Sequence, residues 1–333
     1  MAHNNPYVRW FADLSCDDVA VVGGKNASLG EMTRSLQSQG VRVPDGFAIT
    51  VAAYQAFLEA NDLGPTIQAL LTGLHQGGPA LARAGKELRR LVRQAPFPGD
   101  LIAAIQEAYQ ALSQRYGTDR VDVAVRSSAT AEDLPQASVA GQHDTYLNVT
   151  GPDALLEACR DCYASLYTDR AISYRQAQGF DHLQVALSVG VQKMVRADTG
   201  AAGVMFSIDP ETGFPSVVVI NAACGLGEKV VQGTVTPDQY TVFKPLLANP
   251  RLCPIIEKTL GSKAQTLRDS PHGEAAANHS ATPPPQDHAF VLQDVDIVQL
   301  ARWACAIETH YGTPMDIEWA MDGETGEFSI VQA

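Results

Sequence analysis

Val121-Asp122-Val123-Ala124-Val125-Arg126-Ser127-Ser128-Ala129-Thr130 is where the pattern of the chain changes. Valines alternate with Asp122 and Ala124 from Val121 to Val125, which is the period of a strand. That strand runs into Arg126 and then into small and turn-forming residues, which predict a loop from Arg126 to Gly141. Upstream, the chain reads as helix. Residues 27–39 form an amphipathic segment closed by Gly40, and Thr50 stands as the N-cap of a helix over residues 51–60. Two more helices are expected over residues 80–93 and 99–116, from their Ala, Leu, Arg and Gln content.

Downstream, residues 153–178 read as one long helix, and from about Leu183 the chain turns strand-rich. Residues 184–195, 201–208, 216–222 and 239–243 are dense in Val, Ile and Phe. Residues 270–288, SPHGEAAANHSATPPPQDH, carry three consecutive prolines and no periodicity, which predicts a disordered loop. A helix follows over residues 294–311. A hairpin closes the reading, over residues 315–320 and 328–332 with its turn at 322–326. The expectation is an α+β, two-lobed architecture: a helix-rich lobe over residues 1–185 and a strand-rich lobe over 186–333. Two such lobes leave a cleft in which a ligand can sit.

Charge narrows the function. With 37 acidic against 24 basic residues the net charge is −13, and no basic run offsets it, so nucleic acid is not an expected partner. No stretch approaches the roughly 20 apolar residues of a membrane helix. MAHNNPYVRW lacks the order of a signal peptide, and a cytoplasmic protein is the default. Cys159 and Cys162 form the single CxxC. They lie at helical spacing with Leu155 and Leu166, which makes them buried small hydrophobes rather than metal ligands.

Four short elements could carry chemistry. Gly23-Gly24-Lys25 precedes a helix, whose free N–H groups and partial positive charge, with a lysine nearby, suit an anion. The same glycines also suit an ordinary turn, and the P-loop order is absent. Arg126 can fork onto phosphate oxygens beside the hydroxyls of its loop, with Gly141 and Thr145 on the return side, or it can pair with Glu132 or Asp133. Cys224-Gly225-Leu226-Gly227-Glu228 begins like a dinucleotide fingerprint, but Val230 replaces the third glycine and no βαβ unit surrounds it. In Met315-Asp316-Ile317-Glu318-Trp319 the two carboxylates share one strand face, which suits Mg²⁺ bound to nucleotide phosphates or, equally, a solvated pair at an edge.

Taken in order, these stretches resemble the phosphoenolpyruvate synthase family, and more distantly the pyruvate phosphate dikinases and rifampin phosphotransferases. The likeness is carried by VGGKNASLGEM (22–32), VRSSATAEDLPQASVAGQHDTYLNV (125–149), RAISYRQAQGFDH (170–182) and VALSVGVQKMV (185–195). GVMFSIDPETGF (203–214), GLGEKVVQGTVTPDQYTVFKP (225–245), HYGTPMDIEW (310–319) and IVQA (330–333) continue it. The resemblance implies an ATP-grasp-like domain. In it Lys25 and Arg126 would contact ATP phosphates and act in the transfer, and Gly141 and Thr145 would belong to the loop over those phosphates. Gln192 would lie near the base or ribose, and Glu318 and Gln332, with Asp316 beside them, would serve nucleotide and Mg²⁺.

It also implies transfer of the β-phosphoryl of ATP to a histidine on a swivelling domain, and from there to pyruvate on a third domain. No Thr-Cys-His motif occurs in these residues. The expectation is therefore an ATP-activating module that needs a phosphohistidine domain and a pyruvate-binding domain, in cis or in trans, and makes no phosphoenolpyruvate alone. A rifampin phosphotransferase-like ATP domain and a non-catalytic nucleotide-binding regulator are the alternatives. TPDQYTVFKP (236–245) and EKTLGSK (257–263) look more like the synthase.

If Glu318 and Gln332 share a site, Gln332 must stand opposite an even-numbered residue of the first hairpin strand. A turn near Glu324 would pair Asp316 with Gln332 and Glu318 with Ile330.

Overall fold

The structure, a computed structural model, describes residues 5–73, 78–130, 145–183, 185–227, 236–262, 266–268, 278–280 and 289–333. The chain divides into two compact units, Met1–Arg34 with Asp45–Met194, and Ser35–Pro44 with Val195–Ala333.

In chain order the first unit contains β1 (Val8–Trp10), α1 (Val19–Ser35), β2 (Gly46–Ile49), α2 (Val51–Ala60), α3 (Leu63–Leu71), α4 (Pro79–Gln94) and α5 (Gly99–Arg115). β3 (Asp122–Ala129), β4 (Thr145–Thr150), α6 (Pro152–Ser165), α7 (Asp169–Gln178) and β5 (Leu187–Lys193) complete it. Helices α2, α5 and α6 pack on a five-stranded sheet in the order β1-β2-β5-β3-β4, and every pairing is antiparallel. Strand alternation decides its core. Phe47, Ile49, Val123, Val125, Val189 and Val191 are all fully buried and pack with Leu155, Cys159, Cys162 and Tyr163 of α6. Neither thiol is in a disulfide, and both lie in this apolar face as expected, where burial pushes the Cys159 thiol far up and keeps it neutral.

Pairing overrides local reading at three points. β3 does not end at Arg126: Ser127, Ser128 and Ala129 continue the ladder opposite Val189, Ser188 and Leu187, because β5 supplies partners that residue type alone does not reveal. The expected single helix over 153–178 is two, for the Thr168 hydroxyl accepts a hydrogen bond from the Ala171 amide and starts α7 afresh. Thr50 does precede α2, but its hydroxyl donates to the Pro6 carbonyl at 2.6 Å instead of capping the helix.

The second unit holds β6 (Ala201–Phe206), β7 (Val217–Cys224), β8 (Asp238–Phe243), β9 (Ile255–Thr259), β10 (Thr266–Arg268), β11 (Asn278–Ser280), α8 (Asp294–Tyr311), β12 (Asp316–Met321) and β13 (Phe328–Gln332). Its main sheet runs β13-β12-β6-β7-β8-β9. α8 buries Ile297, Leu300, Ala301, Ala304 and Ile307 completely and packs against β7, β8 and β9. The buried Asp238 carboxylate accepts from the Gly261 and Val291 amides and the Tyr240 hydroxyl, so its charge is compensated inside the fold.

Against the expected division after residue 185, β5 stays with the first unit because it lies between β2 and β3. Residues 35–44 go with the second, where the Arg42 carbonyl accepts from the Ile330 amide and Arg42 pairs with Glu327 at 2.7 Å. Within the stretch expected to be structureless, Asn278–Ser280 pair with Thr266–Arg268; residues 270–277 and 281–288 lie outside the described residues. No helix among the described residues is long and apolar enough to cross a membrane.

Candidate functional site

In the first unit the site is built from the non-core face of the sheet. Arg126 stands opposite Gly190 on β5 and opposite Thr145 on β4, while Gln192 stands opposite Ala124. Directly opposed residues share a face, and residues two apart on a strand do so as well. Arg126, Thr145 and Gln192 therefore belong to one face, and Val123, Val125 and Val191 to the other. Thr145 is exposed, Arg126 half-buried and Gln192 buried. Gly141 lies outside the described residues.

The start of α1 closes onto that face. Gly23 interrupts the helix with φ 70° and ψ 163°, a conformation that glycine alone adopts without strain. It is also pressed against β3: a Cβ at Gly23 would lie 2.3 Å from Ser128 Oγ and 2.6 Å from the Ser128 carbonyl oxygen. The continuing helix thus begins at Gly24-Lys25, beside the strand that bears Arg126. Ser128 is buried, and its hydroxyl has no hydrogen-bond partner among the described residues. A helix start, a lysine, an arginine and a buried hydroxyl at neighbouring backbone positions are donor types that suit phosphate oxygens.

The second unit presents carboxylates. In β12, Ile317 and Trp319 are buried and Asp316 and Glu318 are not, as the alternation requires. The hairpin register differs from the expected one. Glu318 pairs with Gln332, Trp319 with Ile330, Ala320 with Ser329 and Met321 with Phe328. The shift between Glu318 and Trp319 leaves Val331 as an extra residue on β13, a β-bulge. Without it, the register of Trp319–Met321 would carry Gln332 opposite Ile317, on the core face. With it, Gln332 shares the face of Glu318 and Asp316.

The same face continues inward through Val204, the β6 partner of Glu318, to Asn221 and Gln239, which oppose each other on β7 and β8. Asn221 and Gln239 were not singled out in the sequence. A lone amide inside VVVINAAC was the available signal. Because β7 pairs antiparallel on both sides, the Gly-Leu-Gly after it follows no βαβ unit, and the dinucleotide reading has no support.

No cluster of three or more His, Cys, Asp or Glu that could hold a metal occurs among the described residues. Two carboxylates and an amide on one face fit Mg²⁺, which takes one or two protein carboxylates and completes its shell with phosphate oxygens and water. Asp316 is exposed by area, yet the protein crowds its carboxyl. That partial desolvation, then the Glu318 charge, hold it above the ordinary aspartate range, against the opposing pull of the Ile317 amide.

The sign follows. The folded carboxyl binds its proton more tightly than the unfolded one. The penalty is therefore absent below the unfolded pKa of about 3.9, grows as pH rises through the folded value, and persists at neutral pH. Asp316→Asn is expected to stabilise the chain at pH 7 without divalent cation by less than about 1 kcal/mol, because solvent screens an exposed pair, and so to raise its melting temperature. The gain should vanish near pH 3. A lower melting temperature than wild type at pH 7 would show that neither desolvation nor the Glu318 charge governs Asp316.

Lys25, Arg126, Thr145 and Gln192 thus belong to the first unit, and Asp316, Glu318 and Gln332 to the second. Residues 19–333 match the family described as pyruvate phosphate dikinase, AMP/ATP-binding domain. The chain is similar to phosphoenolpyruvate synthase of Synechocystis sp., 52% identical over 98% of this chain and 41% of the relative. It is 51% identical to that of Aquifex aeolicus, over 98% of this chain and 39% of the relative, and 49% identical to that of Escherichia coli, over 99% and 42%. The chain spans about two fifths of the length of these curated relatives.

Proposed function

Because the chain belongs to the pyruvate phosphate dikinase AMP/ATP-binding domain family, we propose that it is the ATP-activating module of a phosphoenolpyruvate synthase. The whole reaction converts ATP, pyruvate and water to AMP, phosphoenolpyruvate and phosphate. The observation that carries this reading is the start of α1, held by Gly23 against Ser128 on the strand that bears Arg126.

In this reading Lys25 and Arg126 hold the phosphates, Ser128 supplies a hydroxyl donor, Gln192 serves the base or ribose, and Thr145, opposite Arg126 on β4, lies beside the phosphates. Glu318, Gln332 and Asp316 hold Mg²⁺, which when bound neutralises phosphate charge. Phosphoryl transfer asks little of a protein beyond such positioning and charge compensation. The acceptor is a histidine on a separate domain, which relays the group to pyruvate.

Calorimetric titration of the chain with ATP tests the nucleotide site. Binding is expected in Mg²⁺ and should weaken with a chelator, and Glu318→Gln should shrink the difference between the two conditions. A chain that takes up no ATP would overturn the proposal. Equal affinity with and without Mg²⁺ would remove the metal from it.

A further inference from the structure

We propose that Asn26 is a positioning residue for the nucleotide site, clamping the helix start that carries Lys25 to β5, the strand whose Gly190 stands opposite Arg126. The proposal rests on the reading that Lys25 and Arg126 hold the phosphates. Asn26 is 2% exposed. Its side-chain amide donates to the Val22 carbonyl at 3.0 Å and to the Ser188 hydroxyl at 3.0 Å. The first bond reaches back across the Gly23 kink to the segment before it. The second crosses 162 positions of sequence to β5.

The other end of the side chain lies on the backbone of Gly190, where an added Cβ would come within 2.2 Å of Asn26 Oδ1. Gly190 is the cross-strand partner of Arg126, and Ser188 is the partner of Ser128. Asn26 therefore presses on β5 at the positions level with Arg126 and Ser128, while Gly23, three residues earlier, presses on Ser128 in β3.

These contacts leave the start of the helix little freedom to slide or rotate over the strand pair. The Lys25 backbone, between Gly23 and Asn26, inherits that placement. An amide suits the position because both partners of its nitrogen, a carbonyl and a hydroxyl, can accept. Aspartate could not donate to the Val22 carbonyl and would set a negative charge beside the phosphates.

A double-mutant cycle separates positioning from general stability. Asn26→Ala is expected to weaken Mg²⁺-ATP binding about tenfold, and the milder Ser188→Ala about threefold, as each removes buried hydrogen bonds. In a Lys25→Ala background each should weaken binding less than it does in the wild-type chain, because the ammonium they place is gone. Ser188→Ala keeps the test open should Asn26→Ala fail to fold. Wild-type affinity in Ser188→Ala and in any folded Asn26→Ala, with Lys25→Ala impaired, overturns the clamp alone. So do losses that multiply with that of Lys25→Ala. Unchanged affinity in Lys25→Ala overturns the phosphate reading itself and the clamp with it.

Discussion

Lys25→Ala and Arg126→Ala should each weaken Mg²⁺-ATP binding by about 1.5–3 kcal/mol, roughly ten- to 150-fold, measured by calorimetric titration. The size comes from the kind of contact: a charge-assisted hydrogen bond to phosphate in a shielded place is about twice as strong as a neutral one. Arg126 is half-buried between Thr145 and Gly190, so its guanidinium starts partly desolvated and its removal leaves no water-filled substitute of equal geometry. Arg126→Lys should recover only part of the loss, since an ammonium cannot offer the planar fork. Wild-type affinity in both alanine variants would remove these residues from the phosphate site.

A second large effect concerns stability and changes sign with the substitution. Tyr163 is fully buried among Tyr54, Phe57 and Phe97, with ring centroids at 4.9, 5.3 and 5.9 Å. Tyr163→Ala should cost about 3–5 kcal/mol, the range for emptying a buried aromatic site. Yet its hydroxyl is buried with no hydrogen-bond partner among the described residues, and a desolvated, unpaired hydroxyl opposes folding. Tyr163→Phe should therefore stabilise the chain, by about 1 kcal/mol. Urea unfolding of both variants checks the pair. A destabilised Tyr163→Phe would mean that the hydroxyl has found a partner.

The parts of this fold that follow from neighbouring residues were readable in the sequence. The alternation in Met315–Trp319 placed two carboxylates opposite Ile317 and Trp319 because strand geometry leaves no other arrangement. Cys159 and Cys162 could be assigned to an apolar helix face from spacing alone. What escaped depended on partners far along the chain. Ser127–Ala129 look like loop residues, and only β5, about 60 positions later, makes them strand. The Thr50 hydroxyl had a capping role available and took the Pro6 carbonyl instead. The break before α7 was nearer to legible, since Thr168-Asp169 is a recognisable helix start. The family's motifs brought Lys25, Arg126 and Gln192 forward as site residues. No motif told how Asn26 would bind Val22 and Ser188.

The bulge at Val331 makes the terminal hairpin a matter of odd and even numbers. From Met321 to Trp319 each residue pairs with one of opposite parity; at Glu318 and Gln332 both are even. The extra residue is a phase correction. It lets the apolar pairs nearer the turn face the core while the polar pair beyond it shares the opposite face. Two demands that a strictly regular ladder would set against each other are thereby met on the same two strands. Length changes confined to the 322–327 turn can leave this phase intact, because strand pairing sets it. A single residue lost between Ile330 and Gln332 would invert it and turn the Gln332 amide toward the core. Selection on this hairpin should thus act on the count of residues after Ile330 more strictly than on the identity of Val331.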